Sequence, residues 1–235
     1  MSAHTLCRAT LVVPVHRQRL LRRRNGDCAA MQTTSIRGSR SCVGFLRFAT
    51  FRQSPFDLLQ ATLMSIATRA LTAQDWETFR HIRLRALREH PDAYLGSYQQ
   101  SAARTERAWM EMLDGKGKCI FGLFDGEKII GLAAIFTSRD DPSCQSGVLA
   151  MDYIDPLYRG RRLSRLLYQA RIDWAKQHPR FTRLVVCHRE GNEASRRANQ
   201  SFAFKLVGKE EIGWPDGTKA SDYVYELDLA PLRSS

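Results

Sequence analysis

The sequence lacks the patterns that mark several common functional classes. No apolar run approaches the ~20 residues of a membrane-spanning helix. The six cysteines form no Cys-x-x-Cys pair, so the sequence predicts no metal site. The phosphate-binding loop GxxxxGK(S/T) and the dinucleotide-binding loop GxGxxG are both absent. The hydrophobic content of 43% is sufficient for a globular core. We expect a cytoplasmic protein.

The first 63 residues lack lysine and nearly lack acidic residues. They contain ten arginines against Asp27 and Asp57, a net charge of +8, which leaves +4 of the chain's +12 to residues 64–235. We expect residues 1–63 to be a disordered basic extension. Three explanations compete: a basic tail, a targeting segment, or translated upstream sequence before a natural start at Met64. The absence of lysine favours the third explanation. The high net charge therefore does not predict that the folded domain binds nucleic acid.

Residues 64–235 show the alternating patterns of a single α/β domain. Hydrophobic periodicity and turn residues predict seven strands and four helices. The strands are expected over 66–71, 118–124, 128–137, 148–154, 184–187, 204–212 and 219–229, and the helices over 72–89, 104–113, 163–177 and 192–202. Asp125-Gly126 is typical of a hairpin turn between the second and third strands.

A strand, a basic loop and a helix follow one another between residues 148 and 177. Residues 154–167 read IDPLYRGRRLSRLL, in which apolar strand residues are followed by arginines and then by a helical pattern. Its apolar positions Leu163, Leu166, Leu167, Ala170 and Trp174 are expected on one helix face. The first N–H groups of a helix have no partner within the helix, and the helix dipole favours negative charge there. The segment therefore predicts a binding site for a diphosphate.

The spacing of this loop resembles the acetyl-coenzyme A loop of the GNAT superfamily of N-acetyltransferases, written Q/R-x-x-G-x-G/A. The pattern falls on residues 159–164, with Arg162 at the central glycine and Ser164 at the final glycine or alanine. Because arginine has a Cβ atom, we expect Arg162 to adopt an ordinary negative φ. The element order β-α-α-β-β-β-α-β-α-β-β is also that of the family. The resemblance implies an α/β fold with a mixed, twisted central sheet of six to seven strands flanked by about four helices.

The resemblance also implies which residues contact acetyl-coenzyme A. Main-chain N–H groups of Asp152, Tyr153 and Ile154 are expected to face the pantetheine arm where two strands splay apart. Asn192 is expected to meet the pantetheine and also to cap its helix at Ser195. The expected cofactor-binding residues are Asp152, Tyr153, Ile154, Arg159, Gly160, Arg161, Arg162, Leu163, Ser164, Arg165, Asn192 and Asn199.

The proton-transfer groups of the family are not carried over to this sequence. Many members place a tyrosine seven residues after the helix-capping asparagine, where this chain has Asn199. Some place a glutamate five residues before it, where this chain has Cys187. Acyl transfer to an amine needs a base, a donor for the carbonyl oxygen and an acid for the thiolate. Tyr153 and Glu190 are the predicted catalytic residues. Direct attack driven by positioning, with a water chain, is an equal alternative.

The resemblance implies an N-acetyltransferase that moves an acetyl group from acetyl-coenzyme A to a primary amine of a small molecule or peptide. The alternative is a catalytically silent member of the fold that binds an acyl-coenzyme A as a sensor or scaffold. The expected partners are acetyl-coenzyme A and the acceptor amine, without a metal, a membrane or nucleic acid. A homodimer is a common default for such proteins.

Overall fold

A computed structural model describes residues 66–233, so the expectations for residues 1–63 lie outside the described residues. The described part contains seven strands and six α-helices. The strands are β1 Ile66–Ala70, β2 Lys118–Asp125, β3 Lys128–Thr137, β4 Ser146–Ile154, β5 Arg183–Arg189, β6 Lys205–Gly213 and β7 Lys219–Asp228. The helices are α1 Trp76–Glu89, α2 Tyr98–Ala102, α3 Glu106–Leu113, α4 Ser164–Lys176, α5 Glu193–Ser201 and α6 Ala230–Arg233.

The strands form one mixed sheet in the order β1-β2-β3-β4-β5-β7-β6, which confirms the predicted fold class. Only β4 and β5 run parallel. Their pairing covers residues 146–149 of β4 and 183–186 of β5 and then stops. Both strands continue beyond that point on their other partners, so a gap opens in the middle of the sheet.

Two apolar cores cover the two faces of the sheet. On one face, Phe79 and Ile82 of α1 pack with Trp109 of α3 against β2 and β3. On the other face, Leu167 and Ile172 of α4 pack against β2, β3 and β5. The helices thus bury the sheet on both sides, and the gap between β4 and β5 connects the two faces.

The buried face of α4 differs from the sequence prediction. Leu166, predicted on the apolar face, is 39% exposed, whereas Arg171 is fully buried. The guanidinium of Arg171 forms two hydrogen bonds to the Asp152 carboxylate, at 2.7 and 2.5 Å. A buried arginine is stable only when such a partner compensates its charge, and a hydrophobic pattern contains no signal for it.

A β-bulge bends β4 immediately before the gap. Leu132 of β3 pairs with Tyr153 and Ala134 pairs with Ala150, so two residues of β4 lie opposite one residue of β3. Met151, in the bulge, is buried and has φ +63°. Bulges of this kind turn a strand away from its neighbour, and here the bulge begins where β4 separates from β5.

Two short helices were not predicted from the sequence. Helix α2 has five residues and α6 has four, too few for a periodic pattern to become visible. Helix α3 begins at Glu106, two residues after the predicted start, because Thr105 accepts a hydrogen bond from the Ala108 amide and caps it. Among residues 66–233, no helix is long and apolar enough to cross a bilayer.

Candidate active site

The described residues enclose a cleft of about 910 Å³, called here the main cleft. The loop before α4, the start of α4, one face of α5 and the end of β4 line it. Ten of the twelve predicted cofactor residues are among its lining residues: Asp152, Tyr153, Ile154, Arg159, Gly160, Arg162, Leu163, Ser164, Arg165 and Asn192. Arg161 is not among them, and Asn199 lines a second, smaller cavity.

The loop of residues 159–164, called here the basic loop, presents main-chain amides that have no protein partner. Within the described residues, the N–H groups of Gly160 through Ser164 make no hydrogen bond. The next two amides, of Arg165 and Leu166, bond to the carbonyl oxygens of Arg162 and Leu163. Five successive free amides at the N-terminus of a helix form a site for an anion.

Arg162 corrects the sequence prediction for its backbone. It has φ +58° instead of a negative φ, so it adopts the left-handed conformation that a glycine would adopt at this position. Gly160 also has a positive φ, of +77°. These two residues turn the loop so that it leads into α4. The turn therefore survives the replacement of the family's glycine by arginine, at a cost of roughly 1–2 kcal/mol in backbone strain.

The arginines of the basic loop have different surroundings. Nε of Arg159 donates to the Ile154 carbonyl oxygen at 2.9 Å, and its Nη2 lies 2.7 Å from His90 Nε2, so this guanidinium is held against the loop. Arg161 lies over the ring of Tyr158, 5.5 Å from the centroid. Arg162 and Arg165 form no ion pair within the described residues and line the main cleft. They are the mobile positive charges available to an anion there.

The end of β4 presents main-chain donors to the gap beside β5. The Asp155 amide donates to the Ile130 carbonyl oxygen of β3 at 2.8 Å. Successive N–H groups of a regular strand point to opposite sides, so the amide of Ile154 points away from β3 and into the gap. By the same alternation the Tyr153 amide points toward β3. Asp152 lies in the bulge, where this alternation is interrupted, so of the three predicted amides the regular strand assigns that of Ile154 to the gap.

Two ion pairs hold this part of β4 in place. Arg171 of α4 holds Asp152, as described above. At the strand end, the buried Asp155 accepts hydrogen bonds from Arg85 at 2.7 Å and from the Leu157 amide at 3.0 Å. Burial opposes ionisation of Asp155, but these bonds outweigh it and hold the pKa of the carboxyl below its usual value. The bulge and the start of the loop are therefore rigidly positioned.

Helix α5 supplies cleft residues that the sequence analysis missed. Asn192 accepts a hydrogen bond from the Ser195 amide at 3.1 Å, which confirms its predicted capping role. The same helix turns one face to the main cleft, formed by Ala194, Arg197, Ala198 and Ser201. Their spacing of three and four residues could have identified them from the sequence, because residues at this spacing share a helix face.

Asn199 is fully buried beside Tyr168, another residue that the sequence analysis did not select. The Tyr168 hydroxyl donates to Asn199 Oδ1 at 2.6 Å, and burial raises the pKa of Tyr168. The Nδ2 group of Asn199 is buried and has no hydrogen-bond partner among the described residues. A buried amide donor without a partner costs about 1–3 kcal/mol, so this atom indicates a missing acceptor.

The two predicted catalytic residues are not brought together in one cavity. Tyr153 lines the main cleft, where its hydroxyl donates to Glu89 at 2.6 Å, and burial together with this bond raises the pKa of Tyr153. Glu190 lines neither described cavity and lies 3.9 Å from Lys209. The assignment of both as catalytic groups stays a prediction.

The chain was compared with known families and structures. The acetyltransferase (GNAT) family matches residues 76–204. A comparison with curated protein sequences finds no match. An N-acetyltransferase from Staphylococcus aureus Mu50 is 25% identical, with coverage of 70% of this chain and 99% of that chain and a TM-score of 0.61. A GNAT-family acetyltransferase from Streptococcus pneumoniae is 19% identical, with coverage of 70% and 99% and a TM-score of 0.61. A Salmonella typhimurium protein solved with its cofactor acetyl-CoA is 18% identical, with coverage of 70% and 94% and a TM-score of 0.60.

The family match and the structural matches agree with the architecture of the site. The matched residues cover more than half of the chain and include α1, the bulged β4, the basic loop and α5. The similar structures share the fold over 70% of this chain. The chain therefore belongs to the GNAT family of acetyltransferases and is an acyltransferase.

Proposed function

We propose that this protein transfers an acetyl group from acetyl-CoA to a primary amine of a small molecule or peptide. The observation that carries the proposal is the row of five unpartnered amides in the basic loop, at the mouth of a cleft that ends in the gap between β4 and β5. The amides and the guanidinium groups of Arg162 and Arg165 fit a diphosphate. The gap fits the slender arm that carries the thioester.

The remaining polar groups of the cleft fit the pantetheine arm and the reacting carbonyl. The amide of Ile154 points into the gap, where it can donate to an amide oxygen of the arm or to the thioester oxygen. Negative charge develops on that oxygen when the amine attacks, and fixed N–H donors stabilise it more in the transition state than in the ground state. Asn192 and Arg197 line the path between the loop and the gap.

We assign Asn199 Nδ2 as the hydrogen-bond donor for the departing thiolate. Asparagine cannot release a proton, but a buried N–H can still stabilise the negative sulfur. Tyr168 fixes the orientation of this amide because its hydroxyl donates to Oδ1. The pair would then do by hydrogen bonding what an acidic tyrosine does in other members of the family.

Calorimetry and a thiol-release assay test the proposed function. Full-length protein is titrated with acetyl-CoA, and release of the coenzyme A thiol is then followed over a panel of alkylamines, amino acids and peptides. Saturable binding with amine-dependent thiol release supports acetyl transfer. Binding without release on any amine would instead favour a silent module that senses an acyl-coenzyme A, and absence of binding would overturn both.

A further inference from the structure

A second cavity, of about 110 Å³, occupies the gap between β4 and β5, and is called here the inner cavity. It shares six lining residues with the main cleft: Ala93, Tyr94, Asp152, Tyr168, Asn192 and Ser195. The two cavities are therefore adjacent. The inner cavity also contacts Trp214 and the loop after α1, which lie away from α4 and α5. It thus provides a passage from the cofactor face of the sheet to the opposite face.

Asp222 of β7 lines the inner cavity from the face opposite α4. Successive residues of β7 point to opposite faces of the sheet, so Tyr223 and Tyr225 pack in the core under α4, whereas Asp222 shares the other face with Val224. The residue is only 6% exposed. Within the described residues, its carboxyl group makes no hydrogen bond and no ion pair. A buried carboxylate without a partner is costly, so this group favours either a proton or a cationic ligand.

The nearest basic side chain does not neutralise Asp222. Arg189 lies directly opposite it on β5. The Arg189 guanidinium instead bonds to Asp216 at 2.6 Å, to Thr218 at 2.6 Å and to the Asp92 carbonyl oxygen at 2.9 Å. On the other side, Glu210 of β6 pairs with Asp222 in register and adds a second negative charge. The sequence therefore leaves an acidic group facing a cavity while its neighbouring arginine is engaged elsewhere.

Burial and the neighbouring Glu210 raise the pKa of Asp222 to about 7. A carboxyl group in that range gains and loses its proton near neutral pH, which is what a general base for an amine requires. An ammonium ion arriving next to it would pair with the ionised form and then transfer the proton.

We propose that Asp222 is the catalytic base that takes a proton from the acceptor, and that the acceptor is a primary alkylamine which enters the inner cavity as an ammonium ion. This inference rests on the proposed acetyl transfer. The ammonium N–H bond breaks and its proton goes to the Asp222 carboxylate. The freed lone pair forms a C–N bond to the thioester carbon, the C–S bond breaks, and the thiolate leaves with the electron pair. The second proton lost from nitrogen goes to the thiolate or to water.

Other candidate bases in the site are already engaged. His188 lies on the cofactor face, stacked against Tyr223 at 5.4 Å. Its Nδ1 is 2.9 Å from the Arg189 carbonyl oxygen, and its Nε2 is 3.4 Å from the Tyr225 hydroxyl. Asp222 is the group of the inner cavity whose acceptor atoms remain available on the side away from the cofactor.

Other titratable or charged groups near Asp222 can also contribute to the pH dependence of the reaction. The titratable or charged groups that face it or line the same cavity are Glu210 from β6, Arg189 and His188 from β5, Tyr94 from the loop after α1, and Asp152 from β4. Arg189 and Asp152 are held by ion pairs, and burial raises the pKa of Tyr94 to about 12. The comparison of wild type with Asp222→Asn therefore separates the contribution of Asp222 from those of its neighbours.

The test compares full-length wild type with Asp222→Asn, using the alkylamine that gives the fastest thiol release in the panel. In wild type, kcat/KM should rise with an apparent pKa near 7. In the variant, kcat/KM near neutral pH should fall by about 100-fold. The rising limb should move toward the pKa of the free amine, while the Kd for acetyl-CoA stays unchanged. Glu226→Gln makes the same change on the same face of β7, outside both cavities, and should behave as wild type.

Asp222→Ala provides a second test if the asparagine variant fails to fold. Added formate should restore part of the thiol release in this variant, because a small carboxylate can occupy the vacated position, and it should have no effect on wild type. An unchanged pH profile in Asp222→Asn, or no rescue in Asp222→Ala, would overturn the assignment of Asp222 alone. If wild type itself released no thiol with any amine, the proposed acetyl transfer would fail, and the role of Asp222 with it.

Discussion

At the scale of single residues, the backbone of Arg162 carries a measurable strain. Its φ of +58° suits glycine, which has no Cβ atom to clash with the chain. We expect Arg162→Gly to raise the free energy of unfolding of the ligand-free protein by about 1 kcal/mol. Urea denaturation measures this. Arg161→Gly is the matched control, because Arg161 has no positive φ and the same change should destabilise it. If both variants lost the same free energy of unfolding, the backbone of Arg162 would not be strained.

The raised pKa of Asp222 predicts that the free energy of unfolding of the wild type falls as the pH rises toward 7. Its pKa is about 7 in the folded state and 3.8 without burial, so the folded state binds this proton more tightly than the unfolded state. Its contribution to stability is therefore full below the unfolded pKa and is lost as the pH rises to 7. We expect the stability gained by Asp222→Asn to grow by roughly 3 kcal/mol between pH 5 and pH 8.

Denaturant unfolding of both proteins at the two pH values measures this difference, with Glu226→Gln as the control. A gap between wild type and Asp222→Asn that stays constant with pH would show that the carboxyl group is not shifted. A variant that is more stable and less active would be the expected result for a charged group kept buried for catalysis.

At the scale of elements, the basic loop combines free amides with mobile guanidinium groups. Arg162→Glu together with Arg165→Glu should raise the Kd for acetyl-CoA by at least about tenfold at low salt, and less at high salt, because ions screen exposed charges. Arg161→Glu should have a smaller effect, since Arg161 lies over Tyr158 outside the main cleft. Calorimetric titration at two salt concentrations measures these changes. An unaltered Kd in the double variant would show that the basic loop does not bind acetyl-CoA.

The elements themselves could be predicted well from the sequence. Strand β3 was predicted at its observed bounds, and so was the hairpin that joins it to β2, because alternating residues and turn residues act over short distances. The two turn residues are Gly126 and Glu127, one position after the predicted Asp125-Gly126. The basic loop was found for the same reason. Local sequence did not contain the positive φ of Arg162 or the bulge at Met151, since both depend on how α4 and β3 are attached on either side.

The inner cavity could not be predicted from the sequence for a different reason. Tyr94, Asp152 and Asp222 come together there from a loop and two strands that are far apart along the chain. The available signal for Asp222 was weak, because it is one of three acidic residues in β7 and acidic residues of a strand are usually solvated. Only the burial of the strand and the engagement of Arg189 with Asp216 distinguish it.

At the scale of the whole molecule, the proposed reaction places the two reactants on opposite faces of the sheet. Helices α4 and α5 form the cofactor side with the basic loop, and the loop after α1 and Trp214 form the opposite side. The bulge in β4 and the end of its pairing with β5 create the passage between them. In the proposed reaction, transfer takes place at this passage, and the residues that line it select the amine. A cytoplasmic location and a homodimer stay predictions.

The charge distribution along the chain leads to a prediction about nucleic acid. Residues 1–63 carry +8 of the net +12, whereas the residues that line both cavities lie between His90 and Asp222. We expect a protein of residues 64–235 to keep the wild-type Kd for acetyl-CoA and to lose most of its nonspecific affinity for duplex DNA, because that affinity follows the number of phosphates neutralised. Fluorescence anisotropy with a labelled duplex at two salt concentrations measures the loss. If the shorter protein kept its full affinity for DNA, the folded domain would carry the nucleic-acid surface, and the unpaired Arg162 and Arg165 of the basic loop would be the first residues to test.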